Sequence, residues 1–185
     1  MMYILLKYMM QLNEILGKEA PMQLLSFFLE HSKQEFSETE VRKKTKLARA
    51  TVNKWLKTLL NLNLLTQTTK GKMKIYKPNT EFIITKQLKI LLNIVKLLPH
   101  LEGIKNVQIY LYGSTARGED LEDSDIDLLI VGKTDKSLFD VIRNIEQKVE
   151  RRIKPSIYTE LEWSSMARND PAFYERVEKD KIRLV

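Results

Sequence analysis

The spacing of apolar residues divides this chain in two: helical intervals dominate up to residue 61, and strand-like alternation sets in near residue 107. In the first part Pro21 suits a first helical turn, and Leu24, Leu25, Phe28 and Leu29 form the buried stripe behind it. Ser37-Glu38-Thr39-Glu40 has the S-x-x-E form of a capping box and predicts a short helix through Lys44. A turn at Thr45-Lys46-Leu47 leads to a third helix, Ala48 to Asn61, with Val52, Leu56, Leu59 and Leu60 inward and Trp55 beside them. The runs Leu64 to Thr68 and Lys74 to Lys77 flank Lys70-Gly71-Lys72, which predicts a β-hairpin with glycine in its turn.

Pro78-Asn79-Thr80 breaks the pattern. Ile84, Leu88, Leu91, Val95 and Leu98 then alternate steps of four and three, predicting a helix that ends before Pro99, links the two halves and buries that stripe. Beyond it, Val107, Ile109 and Leu111 alternate along a strand, and Ile126 to Val131 make a second. Leu138, Val141, Ile142, Ile145 and Val149 line a helix, and Ile153 to Tyr158 read as a third strand. Asp170-Pro171 starts a short helix with Phe173 and Val177 inside, and Ile182 to Val185 read as a closing strand. No segment repeats another.

Composition narrows the classes. The chain has 185 residues, 43% of them hydrophobic, enough for one ordinary core or two small ones and too many for a disordered chain. It has no cysteine, which removes disulfides, thiolate zinc sites and thiol nucleophiles, and its two histidines are isolated and expected to be solvated or capping. The opening MMYILLKYMMQLNEIL is apolar but interrupted by Lys7; no signal cleavage site follows, and the stretch is too broken to span a bilayer. It reads as an amphipathic helix of a cytoplasmic protein without a membrane role, Met9 or Met10 being alternative starts. Its Tyr3/Leu6/Met10 stripe would either form a homodimer interface, which palindromic DNA would favour, or cover the neighbouring domain.

The net charge of +7 is unevenly placed. Residues 1–80 carry 14 basic and 6 acidic residues, net +8; residues 81–185 carry 17 and 18, net −1. No acid occurs between Glu40 and Glu81. On the third helix Arg49, Asn53 and Lys57 stand four apart, opposite the apolar face, with Lys54 beside them. Arginine and asparagine can read base edges in a major groove while lysines take phosphate. Lys70 and Lys72 at the hairpin tip would meet the adjacent backbone of double-stranded DNA. The competing reading is a solvated basic face on a protein-interaction domain.

The second half carries candidate chemistry between its first two strands, in the run Tyr112-Gly113-Ser114-Thr115-Ala116-Arg117-Gly118 … Ser124-Asp125-Ile126-Asp127-Leu128. A strand ends in Gly-Ser and enters a helical turn, where backbone N–H groups and a hydroxyl can hold phosphate oxygens. Asp125 and Asp127, two apart on a strand, project from one face with Cα atoms roughly 6–7 Å apart. Hard oxygen ligands so placed can share Mg²⁺ whose other ligands are triphosphate oxygens. Tyr110 and Tyr112 could stack on a base or join the core, and Trp55 and Trp163 read as packing residues.

Two resemblances follow. The order helix, short helix, turn, helix, hairpin resembles a winged helix-turn-helix domain. Gly113-Ser114, ten residues, then Asp125-Ile126-Asp127 resembles the motif of the DNA polymerase β-like nucleotidyltransferases, and the fuller string resembles their minimal nucleotidyltransferase branch. Together they imply an α+β protein: residues 1–79 a winged helix-turn-helix DNA-binding domain with its N-terminal helix, and residues 80–185 a minimal nucleotidyltransferase domain, linker helix included, with a small mixed sheet. The second resemblance implies transfer of a nucleoside monophosphate from an NTP, with ATP the first expectation, onto a protein or nucleic-acid acceptor. Asp125 and Asp127 would be catalytic and bind Mg²⁺ or Mn²⁺, and Gly113 and Ser114 would hold the β/γ phosphates. Arg117 would brace the loop or steady the triphosphate.

One position departs from that family. Catalytic members carry a third carboxylate on the strand after Asp-x-Asp, and the corresponding slot in Ile153 to Tyr158 is Ser156, a poor Mg²⁺ ligand and a poor base. Glu150, Glu160 or Glu162 could substitute from nearby. The alternative function is therefore a transcriptional regulator whose degenerate transferase domain only binds a nucleotide or a partner protein, such as the toxin of a related toxin–antitoxin pair.

Overall fold

The computed structural model describes residues 16–101, 104–134 and 136–185, leaving aside the side chains of residues 136 and 137. The expected N-terminal stripe of Tyr3, Leu6 and Met10 lies outside the described residues. The chain forms two compact units, Met1–Thr85 and Lys86–Val185.

The first unit runs α1 (Glu19–Glu30), β1 (Phe36–Ser37), α2 (Glu38–Thr45), α3 (Arg49–Asn61), β2 (Leu65–Lys70) and β3 (Met73–Pro78). Its antiparallel sheet has the order β1-β3-β2. This is a winged helix-turn-helix. Leu24, Leu25, Phe28 and Leu29 of α1 pack with Val52, Trp55, Leu56 and Leu59 of α3 in the buried set, and Leu60 is only half-buried. Ser37 caps α2 as its spacing implies, with Glu40 returning to the Ser37 amide at 2.7 Å. The turn into α3 places Lys46 at φ 57°, and the Thr45 hydroxyl donates to the Val41 carbonyl at 2.8 Å. β1 was not anticipated: it has two residues, too few for periodicity to register, and exists because β3 offers it a partner (Phe36 opposite Tyr76).

α4 (Ile83–Leu101) bridges the unit boundary. The second unit continues with β4 (Val107–Tyr112), α5 (Gly113–Arg117), β5 (Ile126–Gly132), α6 (Lys136–Val149), β6 (Ile153–Tyr158), α7 (Glu160–Asn169), α8 (Pro171–Asp180) and β7 (Ile182–Arg183). Its sheet is mixed, in the order β6-β5-β4-β7, with β5 and β6 parallel and the other pairs antiparallel. One face packs Ile109, Leu111, Ile126, Leu128 and Ile130 against Leu97 and Leu101 of α4 and Leu138, Ile142 and Ile145 of α6. The other packs Tyr112, Leu129 and Val131 against Trp163 of α7 and Val177 of α8. An α+β chain with a small mixed sheet is thus what the residues form.

Two expectations for α4 need correction. It runs past Pro99 to Leu101, with Pro99 exposed in its last turn. A proline there leaves only the Val95 carbonyl without its helical donor, on a side that faces water. The 4-3-4-3 stripe is also not the inward one. Leu91, Val95 and Leu98 are exposed, whereas Lys89, Ile90, Asn93, Leu97 and Leu101 are buried. The helix is turned this way because Lys89 and Asn93 have partners to meet inside.

Candidate functional site

β4 and β5 meet so that Tyr112 stands directly opposite Asp127, and the chain leaves β4 at once into α5. That exit requires Gly113, whose φ is 73°, and a Cβ there would sit 2.5 Å from the Asp127 Oδ2. The glycine turn and the second carboxylate are therefore in contact at the end of the two inner strands of the sheet. Asp125 precedes β5 by one residue, two before Asp127. The structure brings Gly113, Ser114, Asp125 and Asp127 to one end of the sheet, where Asp127 alternates with Leu128 and shares the face of Leu129.

The two acids sit in different surroundings. Burial pushes the Asp127 carboxyl up, with Asp125 adding to the rise and Lys154, Arg176 and Arg117 opposing it. Asp125 is held below its usual range by its hydrogen bond to Lys154, the two forming an ion pair. Lys154 stands beside Asp127 in the parallel register of β5 and β6. Lys154 and Arg176 were not picked out from the sequence, because the first is one of many lysines in the chain and the second belongs to a separate helix.

The Arg117 side chain is tied to two carboxylates. Its Nε donates to Glu119 at 2.9 Å and its NH1 to Asp180 at 2.6 Å. Ser156 opposes Leu129, two residues further along the strand than the Asp127–Lys154 pair, and its Oγ lies 3.0 Å from the Tyr112 hydroxyl. Tyr112 is buried, so it belongs to the core. Glu162 does not replace the missing carboxylate: its side chain accepts from the Thr159 amide at 2.7 Å and caps α7.

Among the described residues no three His, Cys, Asp or Glu side chains converge as a metal site. The donor set of Asp125 and Asp127 fits one Mg²⁺ that brings its remaining oxygens on a triphosphate. It does not fit a second metal needing a carboxylate from β6. Mg²⁺ held by these two residues would neutralise phosphate charge.

In the winged helix Arg49, Lys54 and Lys57 are exposed on α3 and Asn53 is half-buried, all away from the Val52/Leu56/Leu59 face. Lys70 and Lys72 are exposed around the β2–β3 turn. Two basic groups also have local partners: Arg49 pairs with Glu38 at 3.3 Å, and Lys70 with Glu35 at 2.7 Å. No described helix is long and apolar enough to cross a membrane.

None of the curated proteins compared matches the chain. Among solved structures, reduced HlyU from Vibrio cholerae aligns at 19% identity over 49% of this chain and 90% of its own, with a TM-score of 0.38. The homodimeric winged helix-turn-helix DNA-binding domain of a possible ArsR-family regulator from Mycobacterium bovis aligns at 18% over 50% and 82%, TM-score 0.41. A candidate nucleotidyltransferase from Sulfolobus solfataricus aligns at 25% over 55% and 84%, TM-score 0.30. These scores are too low to carry function. The nucleotidyltransferase-domain family model matches residues 88–184, the segment that holds Gly113, Ser114, Asp125 and Asp127. With more than half its length so matched, this chain belongs to the nucleotidyltransferase-domain family.

Proposed function

We propose that the chain is a cytoplasmic DNA-binding regulator whose nucleotidyltransferase domain holds a Mg²⁺-bound nucleoside triphosphate, ATP being the first candidate. The observation that carries this is the contact of Gly113 with the Asp127 carboxylate, which joins a turn suited to phosphates to an acid suited to Mg²⁺. Gly113 and Ser114 take the β/γ phosphates, and Asp125 and Asp127 take the metal. The winged helix docks α3 in a major groove through Arg49, Asn53, Lys54 and Lys57, while Lys70 and Lys72 reach the flanking phosphates. Binding without transfer is favoured by β6, where Ser156 is bonded to Tyr112 and Lys154 is paired with Asp125.

A second reading, enzymatic transfer, is favoured by the complete Gly-Ser and Asp-x-Asp elements. In it an acceptor hydroxyl on a protein, such as a partner toxin, or on a nucleic acid attacks the α-phosphorus. The α–β phosphoanhydride bond breaks, pyrophosphate leaves, and the hydroxyl proton passes to solvent.

Incubation with Mg²⁺ or Mn²⁺ and labelled NTPs, with and without partner proteins and DNA, separates the two. ATP bound without release of pyrophosphate supports the regulator. Labelled acceptor that disappears in Asp125→Ala/Asp127→Ala establishes transfer instead. Duplex DNA titrated at low salt tests the other domain, and no affinity there sinks the DNA assignment.

A further inference from the structure

A buried polar cluster lies behind the two aspartates, and its hub is Arg151, the last residue but one before β6. One arm, NH1, donates to Asp120 Oδ2 at 2.8 Å; Nε donates to the Ser124 carbonyl at 3.0 Å; NH2 reaches Thr115 Oγ1 in α5 at 3.5 Å. Asp120 is 2% exposed and is further held by Asn93 at 3.1 Å and by an ion pair with Lys89, both from α4. Lys89 donates to the Asp120 carbonyl as well. Ser124 closes the intervening turn on itself, its Oγ accepting from the Leu121 amide at 2.9 Å.

We propose that Arg151 is a positioning residue: it fixes the 120–124 loop at both ends, and so fixes Asp125, relative to the phosphate turn of α5. The proposal rests on the reading of this site as one for Mg²⁺ and nucleotide, and names the groups that set its geometry. Three features support it. The carbonyl that Arg151 grips belongs to the residue immediately before Asp125. The next residue, Arg152, accepts the Ile126 amide at 2.8 Å, so the same corner also holds the backbone on the other side of Asp125. Finally, Arg151 serves Asp120 and the Ser124 carbonyl from two different nitrogens of one rigid fork, NH1 and Nε, a separation that the single nitrogen of a lysine ammonium does not reproduce.

This last point gives the test. Arg151→Lys retains a cation for Asp120 but drops the Ser124 arm. If Arg151 merely balances buried charge, lysine restores both folding and binding. If it positions Asp125, lysine restores folding alone. The measurements are thermal melting by circular dichroism, Mn²⁺ binding by electron paramagnetic resonance, and ATP binding in Mg²⁺ by calorimetry. We expect a melt close to wild type and a fall in Mn²⁺ affinity of about 10-fold or more, as for other residues that orient metal ligands. Wild-type Mn²⁺ and ATP affinity in a folded Arg151→Lys overturns the proposal. So does a loss of binding that only parallels a loss of fold.

Ser124→Ala provides the second variant, since it opens the same turn without disturbing buried charge. It should lower Mn²⁺ affinity with only a small fall in melting temperature from the lost Leu121 hydrogen bond, and unchanged affinity counts against the proposal. Failure of the wild-type protein to bind ATP or Mn²⁺ at all would instead overturn the nucleotide reading itself.

Discussion

Gly113→Ala is the sharpest perturbation of the site, because a single methyl meets both of its halves. The backbone at φ 73° costs a residue with a Cβ about 1–2 kcal/mol. The new Cβ would also lie 2.5 Å from the Asp127 Oδ2. That oxygen ends a short side chain, so the carboxylate can swing away, at about 0.5–1.5 kcal/mol for leaving its rotamer. The sum, about 2 kcal/mol, corresponds to a fall of roughly 10 °C in the melting temperature of a unit of this size. A nucleotide complex that needs Asp127 in place must drive the carboxylate back against the methyl, which weakens Mg²⁺-dependent ATP binding about tenfold. Gly71→Ala is the matched control. Its φ is 61° but nothing lies within 4 Å of the added Cβ, so it should cost the winged helix about 1 kcal/mol and leave ATP binding untouched. Calorimetric titration with ATP in Mg²⁺, alongside thermal melts, reads both quantities. Wild-type ATP affinity in a folded Gly113→Ala protein would refute the contact between turn and carboxylate.

Lys154→Ala removes the ammonium that competes for Asp125, so Mn²⁺ should bind a few-fold more tightly, the small factor expected of an exposed pair; weaker binding would show that Lys154 assists the metal. Thr159→Ala removes the cap of α7 and should cost about 1 kcal/mol in urea unfolding. The Thr159 backbone holds the Glu162 carboxyl below its usual range, so its contribution is present above the usual carboxylate pKa and fades as pH falls through the lowered one. Glu162→Gln should therefore flatten the acid limb of stability, and parallel pH profiles would contradict the cap. Lys72→Ala should weaken DNA binding evenly across sequences and lower the slope of log K against log salt by about one; an unchanged slope removes Lys72 from the interface.

Most of the fold was legible because its elements obey a single rule each. The α1 and α3 stripes, the Ser37 capping box and the alternation of Val107, Ile109 and Leu111 name both the element and its buried face. α7 was missed since its inward apolar residues, Trp163 and Met166, are too few to set a period and Leu161 points to solvent, although Thr159 and Glu162 form the same S/T-x-x-E signature as Ser37 and Glu40. The two-residue strand β1 was missed because it depends on the strand that receives it, whereas β7 falls within the Ile182 to Val185 strand that was expected. The Gly-Ser and Asp-x-Asp elements could be read because their spacing is short and local. Arg151, Lys154 and Arg176 could not, since they reach the site from later segments through strand register and side-chain length.

The positions where pattern misleads are those nearest the site. Periodicity alone assigns Leu91, Val95 and Leu98 to the inside of α4, yet the inside holds Lys89 and Asn93. Burial pulls the Lys89 pKa down, although Asp120 offsets part of that. A helix that hid only its apolar stripe would avoid this desolvation, and would leave Asp120 without two of its partners. Exposing three large aliphatics and burying an amine is unfavourable locally, and it makes sense only if a fixed 120–124 loop is worth more than a better-packed helix. β6 departs from pattern in the same way, placing a lysine beside Asp127 where the family's chemistry calls for an acid further along. The first departure holds Asp120 in place and the second pairs Asp125 with an ammonium, and both fit the proposed reading of a nucleotide held without transfer.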